Sequence, residues 1–122
     1  VHEVLAELAT RYNLYILSNG FHELQRHKMR SAGLDIYFKD VILSDDIGIL
    51  KPDARLFHHA LKVVNATIAD SLMIGDSWES DVVGASSVGM HQVYFSPKVD
   101  ASSLPFPPTY FITDLRQLLE VL

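Results

Sequence analysis

Apolar positions along the chain follow two alternating rhythms. Val1, Val4, Leu5, Leu8 and Tyr12 recur at spacings of three and four, which gathers them on one face of a helix. Leu14-Tyr15-Ile16-Leu17 is instead a continuous apolar run that stops at Ser18-Asn19-Gly20, the pattern of a buried strand entering a turn. The two-part unit then repeats. Phe21 to Ala32 reads as a helix closed by Gly33, and Val41-Ile42-Leu43 as a second buried strand that stops at Ser44-Asp45-Asp46. Lys51-Pro52-Asp53 announces a third helix, with Pro52 at its first position and Asp53 in its first turn. Leu56, Phe57, Ala60, Leu61 and Val64 share a face of that helix, which closes at Asn65. Ser71 to Ile74 is a third strand running into Gly75-Asp76-Ser77, and a helix from Trp78 to Val88 stops at Gly89.

The last third continues the alternation. Gln92 to Phe95 is a fourth strand, and Ser102 to Pro108, with three of the five prolines, is an irregular surface crossing. Tyr110-Phe111-Ile112 makes a short edge strand, and Asp114 with Gln117 forms a capping box that opens a terminal helix. Strands alternating with helices of about ten residues predict an α/β fold with a mainly parallel sheet, a Rossmann-like three-layer α/β/α sandwich. No linker divides residues 1–122, so they are expected to form one domain.

Composition narrows the class of function. The 122 residues are 48% hydrophobic, enough for a chain that buries its own core and too much for disorder. Ten basic residues against fifteen acidic ones leave a net charge of −5, which opposes bulk binding to nucleic acid or to an anionic membrane. The absence of cysteine excludes a disulfide framework, a zinc ribbon and thiol catalysis, and suits a reducing compartment. No apolar run approaches the length of a membrane span. These traits lead us to expect a cytoplasmic protein with neither a nucleic-acid polymer nor a membrane as partner. The chain opens at Val1, inside a helical pattern, and is expected to be the C-terminal portion of a longer one.

Candidate chemistry lies at the carboxyl ends of the strands, where loops and helix N-termini converge in open parallel sheets. Asp76 leaves the third strand at its tip and Asp81 follows five residues on, a spacing that lets both carboxylates face one point. Hard oxygen ligands of this kind suit Mg²⁺, which takes a few carboxylates and keeps several waters. The same residues also serve helix capping, with Asp76 or Ser77 as N-cap, Glu79 completing a box and Asp81 facing the helix dipole. Lys51, held at the rim by Pro52, is placed to neutralise a phosphate or an attacking carboxylate, or is simply solvated. The Ser18 hydroxyl and the N–H groups of Asn19 and Gly20 either cradle phosphate oxygens or form a plain turn. His22, His27, His58 and His59 show no metal-binding helical pair, although His22 follows the phosphate-loop candidate. Trp78 and Phe21 either wall the site or pack.

Taken in order, Tyr15-Ile16-Leu17-Ser18-Asn19-Gly20, Lys51-Pro52-Asp53, and Met73-Ile74-Gly75-Asp76-Ser77 with Asp81 and Gly84-Ala85 resemble the second, third and fourth motifs of the haloacid dehalogenase superfamily of hydrolases. The resemblance covers nearly the whole chain. It implies that Ser18 binds the transferring phosphoryl group, with Asn19 and Gly20 beside it, and that Lys51 neutralises charge between phosphate and nucleophile. It also implies that Asp76 holds Mg²⁺ and that Asp81 supports the metal or the lysine. Gly75-Asp76-Ser77 points to the phosphatase side, since the dehalogenases that resemble this family replace the metal-binding aspartate. Ser18-Asn19-Gly20-Phe21 and Gly75-Asp76-Ser77-Trp78 resemble the pyrimidine 5′-nucleotidase-like branch.

One motif of the family is missing. Its first, D-x-D on the first strand, supplies the nucleophilic aspartate and the general acid/base, and no such pair follows an apolar strand here. Transfer through an aspartyl-phosphate needs that nucleophile, so the chain alone is expected to be inactive and its metal weakly held. The expectation is therefore a Mg²⁺-dependent phosphomonoester hydrolase acting on a small phosphorylated metabolite, such as a nucleoside 5′-monophosphate. Its central strand, nucleophile and cap would lie upstream. The alternatives are a non-catalytic phosphate- or metal-binding module, and a 2-haloacid dehalogenase or phosphomutase of the same superfamily.

Overall fold

A computed structural model describes residues 2–19, 33, 35–44, 47–98 and 101–122. The predicted helix from Phe21 to Ala32, and with it Gly20 and the Asp45-Asp46 pair, lies outside the described residues. The chain forms two compact units, residues 1–50 and 51–122.

In the first unit, helix α1 (His2–Arg11) buries Val4 and Leu8, one turn apart, and carries Glu3 in its first turn and Arg11 in its last, charges that complement the helix dipole. Tyr12 falls just past the helix end and is 45% exposed, so it does not share the buried face the spacing predicts. Strand β1 (Tyr15–Ser18) pairs in parallel with β2 (Asp40–Leu43), from Tyr15 opposite Asp40 to Ser18 opposite Leu43. Ile42, Leu43 and the following Ser44 are buried. The Ser44 carbonyl accepts from the amides of Ile47, Gly48 and Ile49, and Gly48 takes a positive φ of 68° that closes this turn.

In the second unit, helix α2 (Ala54–Val64) starts two residues later than the sequence pattern implies. Asp53 is its N-cap, accepting from the Arg55 amide at 2.9 Å, and Pro52 stands before the cap with a cis bond from Lys51. The carboxylate oxygen satisfies a first-turn donor that has no acceptor within the helix. Leu56 and Phe57 are the helix's buried residues, and Asn65, at φ 55°, closes it as predicted. Strands β3 (Leu72–Gly75), β4 (His91–Phe95) and β5 (Tyr110–Ile112) form a parallel sheet with β4 in the middle. Its central place explains the burial of Gln92, Val93 and Tyr94. Gln92 is satisfied there: its side-chain amide donates to the Met90 carbonyl at 2.7 Å, and its backbone N–H to the Thr109 hydroxyl at 3.0 Å.

Two helices depart from their predicted form. Trp78–Val83 is a π-helical turn, and only Gly84–Ser87 (α3) continues as α-helix, with Gly89 at φ 80° just beyond. The Asp114–Gln117 capping box is present, but it opens a 3₁₀ turn, Leu115–Gln117, that passes into α4 (Leu118–Val121). Among the described residues no helix is long and apolar enough to cross a membrane.

Candidate active site

The end of β3 is built around one buried carboxylate. Asp81 is 5% exposed, and its Oδ1 lies 2.5 Å from Lys51 Nζ, the ammonium side chain being 10% exposed. Its Oδ2 accepts from the Ser77 amide at 3.2 Å. The π-helical turn brings the aspartate back to this point. Both the Asp81 and Val82 amides donate to the Ser77 carbonyl, at 2.9 and 3.4 Å, so the turn is one residue wider than an α-turn and Asp81 faces inward. Ser77 is the N-cap, with its hydroxyl accepting from the Ser80 amide at 3.3 Å. Capping therefore belongs to Ser77, and not to Asp76.

Asp76 has the opposite environment. It is exposed, and among the described residues its carboxylate accepts no hydrogen bond and joins no ion pair. Two carboxylates that the sequence spacing treats alike are thus set apart, one spent on a lysine and one open. Among the described residues no group of three or more His, Cys, Asp or Glu gathers to hold a metal ion. An open hard-oxygen donor fits Mg²⁺ all the same, because that ion binds through one or two carboxylates and completes its shell with water and phosphate. Asp81 has both oxygens engaged and is the poorer ligand.

Ser18 ends β1 half-buried and Asn19 is exposed; both belong to the first unit, Lys51, Asp76 and Asp81 to the second. Trp78 packs edge-on against Tyr94, ring centres 5.2 Å apart, and lies 4.8 Å from Phe106 of the proline-rich crossing, which ties that crossing to the acidic turn. The motif reading missed what Gly75 does. A side chain there would occupy the space of the Asp81 carboxyl group, and the only trace of this in the sequence is a glycine at the tip of an apolar strand directly before an aspartate.

A family model described as haloacid dehalogenase-like hydrolase matches residues 1–89. The chain is 30% identical over 98% of its length to the HAD-hydrolase YfnB of Bacillus subtilis, covering 52% of that protein. It is 36% identical over 91% of its length to the glyceraldehyde 3-phosphate phosphatase of Pyrococcus furiosus, covering 48% of it. To the pyrimidine 5′-nucleotidase PynA of Streptococcus pneumoniae it is 31% identical over 99% of its length, covering 52%. The crystal structure of YfnB bound to magnesium superposes with a TM-score of 0.90 at 29% identity, over 99% of this chain and 52% of that one. A 2-haloacid dehalogenase from Pseudomonas syringae gives 0.86 at 30% identity, over 99% and 50%. The chain thus spans about half the length of the curated relatives it matches.

Proposed function

The chain belongs to the haloacid dehalogenase-like hydrolases, and from that premise we propose that the intact protein is a Mg²⁺-dependent phosphomonoester hydrolase. The observation that carries this reading is the buried Lys51–Asp81 pair at the end of the same strand that delivers an open Asp76. A lysine held by a buried carboxylate keeps its place, which is what compensation of a negatively charged phosphoryl group and its attacking carboxylate requires. Asp81 therefore acts on Lys51, and Asp76 is the ligand this chain offers Mg²⁺. When bound, the ion would neutralise and orient the phosphoryl oxygens. Ser18, Asn19 and Gly20 hold phosphoryl oxygens through the hydroxyl and backbone N–H groups.

Residues 1–122 hold no aspartate pair at the spacing of the first motif, so in this reading the attacking carboxylate and the general acid/base are supplied by other residues of the intact protein. In-line attack by a carboxylate oxygen breaks the ester P–O bond and forms an acyl phosphate, the acid protonates the departing alkoxide, and water then releases inorganic phosphate. The substrate is a small phosphorylated metabolite, with a nucleoside 5′-monophosphate favoured by the likeness to PynA. Neither a nucleic-acid polymer nor a membrane is a partner in this reading, and the protein is cytoplasmic.

Phosphate release by the intact protein from a panel of monoesters, with Mg²⁺ and with a chelator, tests the proposal. Metal-dependent release supports it, and no release under either condition would leave the non-catalytic binding module in its place. A second reading, 2-haloacid dehalogenase, has the likeness to the Pseudomonas syringae enzyme behind it. Asp76 speaks against it, because carbon–halogen cleavage has no use for a metal ligand at that place. Halide release from 2-haloacids without phosphate release would decide for it.

A further inference from the structure

Two glycines bracket the acidic turn, and in each a neighbour occupies the place of a side chain. A Cβ on Gly75 would fall inside the carboxyl group of Asp81, 2.5 Å from its Cβ. A Cβ on Gly84 would lie 2.5 Å from Phe57 Cε2, 2.8 Å from Phe57 Cζ and 3.2 Å from Pro52 Cα. Phe57 is 1% exposed and the Pro52 atom is backbone, so neither neighbour can swing away. Backbone conformation is not the reason for either glycine. Gly84 is ordinary right-handed helix at φ −58°, and Gly75 is not among the positive-φ glycines. Gly48 and Gly89 are the converse, with positive φ and open space where a Cβ would go.

Both close approaches converge on one side chain. Asp81, admitted by Gly75, holds Lys51 Nζ, and Pro52, admitted by Gly84, is the residue bonded to Lys51. We infer that Gly75 and Gly84 are positioning residues for Lys51: one makes room for the carboxylate that grips the ammonium, the other for the backbone that carries it. The catalytic consequence rests on the hydrolase reading above, whereas the geometry is independent of turnover.

Competitive acetylation of the intact protein, read lysine by lysine by mass spectrometry, tests this. Lys62 and Lys98 are exposed, so Lys51 in the unaltered protein should react at least about tenfold more slowly than they do. In Gly75→Ala and Gly84→Ala that gap should narrow to about threefold or less, with Lys62 and Lys98 unchanged. Lys51 reacting as fast as Lys62 in the unaltered protein overturns the inference without any variant, and so does full protection of Lys51 in the folded alanine variants. A thermal-melting cycle covers the case in which Gly75→Ala unfolds. Asp81→Gly leaves nothing for the new methyl group to strike, so the loss of melting temperature, or of folding, caused by Gly75→Ala should largely disappear in that background. Equal losses in both backgrounds overturn the inference. Where the protein turns over a phosphomonoester, both alanine variants should lower kcat with KM little changed. Where it turns over none, the hydrolase reading fails and the acetylation pattern still decides this one.

Discussion

The ends of β1 and β3 look alike in sequence and differ in construction. Each is a short apolar strand that stops at small polar residues, Ser18-Asn19 in one case and Gly75-Asp76-Ser77 in the other. At β1 the polar groups are half-buried or exposed and the strand passes them to the surface. At β3 a carboxylate from the next turn folds back over the strand tip, accepts from the Ser77 amide and holds a lysine thirty residues away in sequence. The difference teaches that polarity at a strand end marks a place for chemistry, while a buried ion pair held within a steric gap fixes a group there in advance. Fixed groups cost stability when altered; surface donors cost mainly function.

That contrast can be broken by substitution, most severely at Lys51. Lys51→Met leaves the Asp81 carboxylate buried without its cation, so chemical denaturation should show a loss of about 3–5 kcal/mol, and phosphatase assay a loss of turnover of roughly 10³-fold or more. A Lys51→Met protein as stable as the original would show that the pair contributes nothing. Asp76→Asn sharpens the same contrast from the other side: metal-dependent turnover should fall by about 10³-fold, while the melting temperature stays put because no hydrogen bond or ion pair among the described residues rests on that carboxylate. Removal of Mg²⁺ by a chelator should reproduce its effect on activity. Ser18→Ala is expected to be milder, lowering kcat/KM by about 10- to 100-fold through the loss of one hydrogen bond, with melting changed little.

The smallest effect concerns acid. Side-chain and backbone hydrogen bonds from Arg55 lower the Asp53 carboxyl from 3.8 to about 2 in the folded chain. A depressed folded value means that the cap's contribution is fully present above pH 3.8 and is lost as pH falls through about 2. Because Asp53 is half-buried at the surface and its partner Arg55 is exposed, the group should shift melting by no more than a few degrees, and Asp53→Ala should remove that pH dependence in thermal melts. Asp114, lowered in the same direction by its side-chain hydrogen bond with Arg116, should behave likewise.

Much of the architecture was legible because burial imposes a period. Val4 with Leu8, the run Tyr15 to Leu17, and Leu56 with Phe57 are placed by the face they bury, and Asn65, Gly89 and the Asp114–Gln117 box mark ends through local chemistry. Periodicity is blind to one extra residue per turn, so Trp78 to Val88 read as uniform α-helix, although its first six residues form the wider turn that aims Asp81 inward. Pro52 was set two places too far into its helix because Pro fits a first helical turn on propensity, whereas the Asp53 side chain decided where capping began. Within the candidate site, Lys51, Asp76 and Asp81 were legible as residue types at motif spacing. The division of labour between the two aspartates was not, since it depends on space left by a glycine, and spacing along a chain carries no volume.

The Lys51–Asp81 contact also constrains how this sequence can vary over generations. With both side chains almost fully enclosed, replacing Lys51 by an uncharged residue leaves the Asp81 carboxylate buried without this cation, so a change at one position bears on the other. Two codons separated by thirty residues are thereby coupled in their cost, and a descendant that keeps Asp81 while discarding the lysine would pass through a weakened ancestor.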